Sequence, residues 1–406
     1  MKDRTPPARP SRNASRLPPA GHFIGAGRLA RLLWRADRWP TDQTLGEALR
    51  DRLGSGQLTL HASGRAALLA GLRTLAEGSG RNELLVPAYT CYSVPAAGVA
   101  AGLRIRLVDV DGRGRIDRHA FEKMPLDRAV AVVVSNLFGL PEPIGDIAER
   151  AHESGCAVVD DAAQSLGARD DRGPVGARGD LGILSFGRGK PLSALGGGAA
   201  WWPGAEPLDP ATTGPTRPSP TSRLQAFTRA IAYDLALVAP VFRALAAIPA
   251  LHIGETSFDP DIQPDPIAGF TLPLLEVGLH EFDRQRAERA RTAEELARRV
   301  EAVTAWRAVV GAAGVSGVYP RLALIAPTEG ARNRAWAQLR GIESGASLFY
   351  PQSLDTLAPL RPHRVDTDPC PGARDLATRL LTLPTHGRLA GRRLHDTLTI
   401  LAHADG

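Results

Sequence analysis

VVDDAAQSLGARDDRGPVGARGDLGILSFGRGKPLSALGGG, residues 158–198, is the stretch that decides the fold. The β-branched pair Val158 and Val159 ends at two aspartates, which predicts a buried strand whose carboxyl end presents acids. Residues 182–186 form a second apolar run of strand length and lead into Gly187-Arg188-Gly189-Lys190. Because glycines let the backbone turn tightly, this second strand is predicted to carry Lys190 out on a loop.

The spacing of Lys190 and Asp161 indicates covalent chemistry on a carbonyl cofactor. Lys190 lies 29 residues after Asp161, and no other lysine lies between Lys123 and the C-terminus. Our hypothesis is that Lys190 forms a Schiff base with pyridoxal phosphate while Asp161 pairs with the pyridine nitrogen. Gln164, one helical turn beyond Asp161, could hydrogen-bond the ring substituents, whereas Asp160 points to the other side of the strand.

Lys190 and Asp161 each have a simpler interpretation. Lys190 could be a solvated loop lysine or a nucleotide-phosphate ligand, but Pro191 follows it, so the P-loop pattern G-x-x-x-x-G-K-[ST] is not met. Asp161 could be a helix N-cap, which is compatible with a cofactor role.

A phosphate site is predicted where Ser63-Gly64-Arg65 precedes a run of helix formers. Ser63 is a plausible N-cap, and the free N–H groups and dipole of a helix N-terminus favour an anion. Arg65 would add a full charge, and Ser185 is a further donor. The alternative is a capped helix with an exposed arginine.

Apolar runs of strand length alternate with helical segments along this part of the chain, which predicts a mainly parallel sheet. The runs are 83–87, 103–110 and 129–136. Ligands bind at the carboxyl ends of such strands. This rule gathers the predicted cofactor-binding residues at one crevice: Ser63, Gly64, Arg65, Cys91, Tyr92, Asn136, Asp161, Gln164, Ser185 and Lys190.

The chain of 406 residues exceeds one typical core. Residues 1–28, with arginines among prolines, are predicted to be a disordered basic tail. Residues 29–273 are expected to hold an N-terminal arm and the large domain, interrupted by a proline-rich and helical insertion at 203–266 in which 203–222 cannot be regular. A bridging helix from Leu274 and a smaller α+β domain are predicted for 274–406.

Composition restricts the class of protein further. The formal charge of +6 comes mostly from dispersed arginines without zinc-finger or RNP-like spacing, so no nucleic-acid partner is expected. Three widely separated cysteines favour a reducing, cytoplasmic compartment. No membrane span is expected, because charges and a proline interrupt the most apolar stretch, residues 226–247.

Together these motifs resemble the DegT/StrS-type aminotransferases, pyridoxal-phosphate enzymes that aminate keto-sugars attached to nucleotides. The resemblance covers about residues 45–402, and its most specific part runs from Asp161 to Lys190. The matching segments are Ser63-Gly64-Arg65, Pro87-Ala88-Tyr89-Thr90, Ser135-Asn136-Leu137-Phe138-Gly139, Asp160-Asp161-Ala162-Ala163-Gln164, Ser185-Phe186-Gly187-Arg188-Gly189-Lys190 and Leu383-Pro384-Thr385-His386.

This resemblance implies an α/β, aspartate-aminotransferase-like (fold type I) large domain and a homodimer with active sites at the subunit interface. It assigns the internal Schiff base to Lys190, the pyridine nitrogen to Asp161, the ring oxygen to Gln164 and the phosphate to Ser185. The implied reaction transfers an amino group, with glutamate as donor, to a nucleotide-linked keto-sugar in polysaccharide or secondary-metabolite synthesis. The alternatives are a non-catalytic regulatory or scaffold relative and a pyridoxal-phosphate enzyme acting on a non-sugar substrate.

The chain departs from the family pattern at three places. Cys91 stands where an aromatic residue usually follows the threonine, so ring stacking would come from Tyr92, from Cys91 itself or from no residue. The Asn-Tyr-Arg segment that reaches the phosphate from the partner subunit has no counterpart before Leu274; the nearest stretch is 268–271. Arg65, in place of the family's threonine, is therefore expected to supply the phosphate charge.

Overall fold

A computed structural model of the chain describes residues 24–25, 27, 42–205, 220–238, 241, 257–342, 344–386 and 389–405. Most of the predicted tail, residues 29–41 at the start of the predicted N-terminal arm and about half of the insertion lie outside these residues. Within the predicted tail, the backbone N–H groups of Ile24 and Gly25 donate to the carboxylate of Asp234, each at 2.8 Å.

A seven-stranded sheet forms the large domain. Its strands, in chain order, are β1 Gly56–His61, β2 Glu83–Pro87, β3 Arg104–Val108, β4 Ala129–Ser135, β5 Ala157–Asp161, β8 Leu181–Ser185 and β9 Gly198–Pro203, with the short pair β6 Arg169–Asp170 and β7 Gly173–Pro174 outside the sheet. The spatial order is β1-β9-β8-β5-β4-β2-β3. Strands β8, β5, β4, β2 and β3 pair in parallel and β9 runs antiparallel to both of its neighbours. The mainly parallel sheet predicted from the sequence is confirmed.

Helices cover both faces of this sheet, which explains why its central strands are continuously apolar. Every residue of β4 is buried. The helices of this domain are α1 Asp42–Leu53, α2 Gly64–Ala76, α3 Ser93–Ala100, α4 Arg118–Glu122, α5 Gly145–Glu153 and α6 Pro220–Ala236.

The long helix α7, Thr271–Val303, leads into the C-terminal domain. An antiparallel sheet of three strands forms the core of that domain: β10 Arg307–Val309, β11 Arg321–Ile325 and β12 Leu380–Pro384, in this spatial order. The described helices of the domain are α8 Glu329–Leu339, α9 Pro371–Arg379 and α10 Gly391–His403. The predicted α+β domain is confirmed, and α8 has the bounds expected from the sequence.

The structure differs from the sequence prediction at both ends of the proline-rich segment. Residues 203–222 were expected to be irregular, but β9 continues to Pro203 and α6 begins at Pro220. A proline is tolerated in the first turn of a helix because the N–H it lacks has no intrahelical acceptor there. For the same reason α7 can include Pro273 in its first turn. The helix begins at Thr271, three residues before the predicted start at Leu274.

Candidate functional site

A cavity of about 370 Å³ opens at the carboxyl ends of the central strands, between β5, β8 and the N-terminus of α2. It is large enough for a small aromatic ligand. Nine of the ten predicted cofactor-binding residues line it: Ser63, Gly64, Arg65, Cys91, Asn136, Asp161, Gln164, Ser185 and Lys190. The fold thus brings together residues that are up to 127 positions apart in the chain.

Lys190 and Asp161 face the cavity from neighbouring strand ends. Lys190 lies on the loop after β8, where Gly189 adopts a positive φ of 77°. Its ammonium makes no hydrogen bond or ion pair with any residue that the structure describes. Burial raises the pKa of Asp161, opposed by a hydrogen bond from the Ala163 N–H and by the charge of Lys190. A ligand that places a protonated nitrogen beside Asp161 would favour the ionised carboxylate.

The N-terminus of α2 forms one end of the cavity. Ser63 is the N-cap, as predicted, and its Oγ accepts from the Ala66 N–H at 3.1 Å. Gly64 packs so closely on β8 that a Cβ there would lie 2.9 Å from Cβ of Ser185. Gly198 on β9 is equally constrained, since its Cβ would lie 2.3 Å from the Gly64 nitrogen. These two glycines set the helix terminus against the Ser185 hydroxyl, and Arg65 stands exposed beside them.

Asn136 lines the cavity, but its side-chain amide forms its hydrogen bonds with residues of the wall behind it. Its Nδ2 donates to Asp160 Oδ1 at 2.8 Å and to the Asp161 carbonyl at 2.9 Å. Its Oδ1 accepts from the Glu142 N–H and from Arg178. Asn136 therefore acts on the site by fixing the end of β5.

Asp160 faces away from the cavity, as the strand alternation predicted, and is fully buried. It pairs with Arg178 at 2.9 Å, and the Gly176 N–H donates to it at 2.7 Å. Removing one partner of such a buried pair leaves an uncompensated charge, so the pair holds the loop after β5 in one conformation.

The opposite wall includes Gln164 and Cys91, and Tyr350 of the C-terminal domain supports it from behind. The Gln164 Oε1 accepts from the Phe138 N–H at 3.2 Å, and its Nε2 donates to the Tyr350 hydroxyl at 3.0 Å. Cys91 is half-buried and its thiol donates to the Ser93 hydroxyl at 3.4 Å. Gln164 and Cys91 are both held in fixed positions at the edge of the cavity.

Tyr92, the tenth predicted residue, does not line the cavity. Its hydroxyl donates to the Gln352 carbonyl at 3.0 Å, and its ring packs 5.8 Å from that of Tyr350. The expectation that Tyr92 contacts a cofactor ring is corrected: position 92 is N-cap to α3, which turns the side chain into the core.

Sequence reasoning missed Tyr350, Arg178 and Ser257. Tyr350 reaches the site from the C-terminal domain and Ser257 from the segment before α7, so neither lies near a recognisable motif. Arg178 was easier to predict from the sequence than Tyr350 or Ser257. It lies within residues 158–198, 18 positions after Asp160, with which it pairs.

Two other kinds of site are absent from the residues that the structure describes. None of the helices in those ranges is both long enough and apolar enough to cross a membrane. No group of three or more His, Cys, Asp or Glu side chains among the same residues could hold a metal ion.

Residues 33–203 match the DegT/DnrJ/EryC1/StrS aminotransferase family. The matched segment contains the cavity-lining residues from Ser63 to Lys190.

Among characterised relatives, the chain is 36% identical over 138 residues to UDP-N-acetyl-3-dehydro-alpha-D-glucosamine 3-aminotransferase of Acidithiobacillus ferrooxidans, covering 34% of this chain and 37% of the relative. It is 29% identical over 188 residues to dTDP-4-amino-4,6-dideoxy-D-glucose transaminase of Shigella dysenteriae, covering 45% and 50%. The matches thus span half or less of each relative's length.

Solved structures extend the likeness over nearly the whole fold. A putative sugar aminotransferase from Streptococcus pneumoniae, in its PLP form, superposes with a TM-score of 0.72 at 17% identity, over 96% of this chain and 98% of that one. The fold is therefore that of the DegT-type aminotransferases, with a mainly parallel large domain and a smaller α+β domain, as expected.

The cavity's donor set fits pyridoxal phosphate. The helix terminus with Ser185 and Arg65 offers hydrogen bonds and positive charge to a phosphate, and Asp161 offers an acceptor to a protonated ring nitrogen. Apolar side chains, Leu68, Val94, Ala163 and Ile183, line the space between them. Lys190 supplies the one primary amine among the lining residues.

Proposed function

We propose that this chain is a pyridoxal-phosphate-dependent aminotransferase that transfers an amino group from glutamate to a nucleotide-linked keto-sugar in the cytoplasm. The observation that supports it is the convergence of Lys190, Asp161, Ser185 and Arg65 on one cavity at the carboxyl edge of the sheet. The sugar-nucleotide class rests on the names of the two relatives above and the site on the geometry.

In this proposal, residues at different places in the cavity have different roles. Arg65 and the α2 terminus would hold the phosphate, and Asp161 would hold the ring nitrogen's proton. Pyridoxal phosphate, when bound, supplies a conjugated ring that takes up the electrons left when a substrate carbon loses a proton. The Lys190 Nζ, without a partner among the described residues, is free to take that proton and return it.

A homodimer is part of the proposal, because the family places its active sites between subunits. Light scattering of the purified chain at micromolar concentration should give twice the mass of 43.1 kDa. A monomer that remains active would remove this part of the proposal alone.

The cofactor is tested by adding pyridoxal phosphate to the purified protein and following its visible absorbance. We expect a band that borohydride abolishes, with the label on the Lys190 peptide, and no such band in Lys190→Ala. Lys123→Ala is the matched control, since Lys123 is exposed and lies outside the cavity. Labelling of Lys123 instead of Lys190, or no binding of pyridoxal phosphate at all, would refute the proposed enzyme function.

The substrate is tested separately with a panel of UDP- and dTDP-linked keto-sugars and glutamate. We expect 2-oxoglutarate to form with at least one of them. Conversion of a cyclitol or keto-acid alone would keep the cofactor and replace the substrate class, whereas a protein that binds the cofactor but turns over nothing would favour a regulatory relative.

A further inference from the structure

The three tyrosines Tyr89, Tyr92 and Tyr350 attach the C-terminal segment 349–355 to the wall of the cavity. Tyr89 donates to the Tyr350 carbonyl at 3.1 Å, and the Tyr92 hydroxyl both donates to the Gln352 carbonyl and accepts from its N–H. The rings of Tyr89 and Tyr92 each lie 5.8 Å from the ring of Tyr350. Tyr350 is thus fixed between them, 6% exposed.

The Tyr350 hydroxyl touches two cavity-lining side chains. The Phe138 N–H can only donate, so Gln164 must turn Oε1 toward it and Nε2 toward the phenol. The phenol oxygen therefore accepts from Gln164, and the Cys91 thiol lies beside it. Burial raises the pKa of Tyr350 well above its ordinary value, so the phenol keeps its proton at neutral pH.

Two hydrogen bonds with fixed directions orient the Gln164 amide, one from the Phe138 N–H to Oε1 and one from Nε2 to the Tyr350 hydroxyl. The Cys91 thiol, which lies beside the phenol, donates to the Ser93 hydroxyl. A buried amide that lost one of its two partners could rotate, because the lost hydrogen bond would no longer hold it.

We propose that Tyr350 is a positioning residue of the active site, whose hydroxyl fixes the orientation of Gln164 toward the bound cofactor. Tyr350 itself does not line the cavity, so it acts through Gln164. The C-terminal domain thereby sets the geometry of a site whose other residues come from the large domain. The role toward the cofactor rests on the proposed function; the link between Gln164 and Tyr350 does not.

The test compares Tyr350→Phe with Tyr89→Phe. Both remove one buried hydroxyl from the same cluster, but the Tyr89 hydroxyl bonds the Tyr350 carbonyl and neither Gln164 nor Cys91. We expect Tyr350→Phe to weaken pyridoxal phosphate binding roughly three- to ten-fold, as for one neutral hydrogen bond, and to shift the absorbance of the bound cofactor. In a Gln164→Ala background the same substitution should have less than half that effect on affinity. Equal losses in the two tyrosine variants, or full additivity with Gln164→Ala, would overturn the proposal.

A second measurement needs no cofactor. The rate at which an aromatic disulfide reagent modifies Cys91 is measured in the apo protein, since Cys156 and Cys370 are buried and Cys91→Ala identifies the fast phase. We expect the rate to change at least two-fold in Tyr350→Phe, because the phenol lies beside the Cys91 thiol, and to stay within that range in Tyr89→Phe. Gln164→Ala should change it as well, acting through Tyr350, which covers the case that Tyr350→Phe does not fold. An unchanged rate in both Tyr350→Phe and Gln164→Ala would refute the link, and wild-type protein that binds no pyridoxal phosphate would refute the proposed function but not this link.

Discussion

Arg65 stands at the end of the cavity formed by the α2 terminus, without an ion pair to any described residue. It is exposed, so water and salt screen its charge, and its effect on a bound phosphate is smaller than that of a buried arginine. Its position at the terminus of α2 still adds to the helix dipole, because both act on the same anion.

We predict that Arg65→Ala weakens pyridoxal phosphate binding about five- to twenty-fold while leaving the affinity for unphosphorylated pyridoxal within two-fold. Absorbance titrations with the two ligands measure the difference. Arg188→Ala is the control, because Arg188 is also exposed, lies on the loop before Lys190 and does not line the cavity. A similar loss for both ligands would show that Arg65 does not act on the phosphate.

Asp161 is the second residue whose environment leads to a prediction. Burial raises its pKa, and a cationic ligand in the cavity would add to the stabilisation of its charge by the Ala163 N–H and Lys190. Asp161→Asn keeps the size and the bond from the Ala163 N–H but cannot hold the ring nitrogen's proton. We therefore expect pyridoxal phosphate binding within about ten-fold of wild type and a transamination rate lower by at least 10²-fold. Stopped-flow spectroscopy separates the two, and an unchanged rate would contradict the role of Asp161.

The sequence predicted these residues because their signals are local. Lys190, Asp161 and Ser63 each follow a short strand or begin a helix within a few residues, so strand ends and caps placed them correctly. Tyr350 could not be predicted, since its partner Gln164 is 186 positions away and nothing near Tyr350 marks it as part of a site. Tyr92 was placed wrongly because the direction of a side chain in a helix cap depends on what packs against it.

Among the elements, α2 depends most on close packing. Its N-terminus meets β8 and β9 at Gly64 and Gly198, where no side chain fits. The sequence indicated the cap at Ser63 and a close backbone approach near residues 196–198. It could not show that these two glycines meet, because contacts between sheet and helix depend on the strand order β1-β9-β8.

We predict that Gly64→Ala pushes the α2 terminus away from Ser185, lowers the apparent Tm by several degrees and weakens pyridoxal phosphate binding at least ten-fold. The new Cβ would lie 2.9 Å from Cβ of Ser185 and 3.3 Å from the Leu184 carbonyl, neither of which can move freely. Gly46→Ala is the matched control, as its Cβ in helix α1 has no atom closer than 3.7 Å. It should be neutral or slightly stabilising. If calorimetry gave the same Tm and titration the same pyridoxal phosphate affinity for both variants, close packing at Gly64 would not be important for the site.

At the scale of the whole molecule, the stability of the fold depends on a carboxyl group that packing keeps out of water. Glu142 is 3% exposed, and burial raises its pKa to about 8 although Arg118 lies 3.6 Å away. Since the unfolded chain releases this proton near pH 4.5, the folded state binds more protons between that pH and about 8. The stability contributed by Glu142 is therefore complete below pH 4.5 and declines as the pH rises toward 8.

Glu142→Gln should abolish this decline, because the amide stays neutral at every pH. We expect the variant to gain stability relative to wild type between pH 5 and 8, by a few kcal/mol at the upper end. Urea unfolding at several pH values measures it. Glu149→Gln, on the exposed face of α5, should leave the wild-type pH profile unchanged. A profile for Glu142→Gln that runs parallel to wild type would show that another group is responsible.

The order of synthesis is a last consequence of the attachment of segment 349–355 by the three tyrosines. Tyr89 and Tyr92 leave the ribosome long before their partners, which follow 261 and 260 residues later. A nascent chain can fold the strands that carry Asp161 and Lys190, yet the wall beside Gln164 closes only when segment 349–355 emerges. Capture of a cofactor with native affinity is then a late event in synthesis.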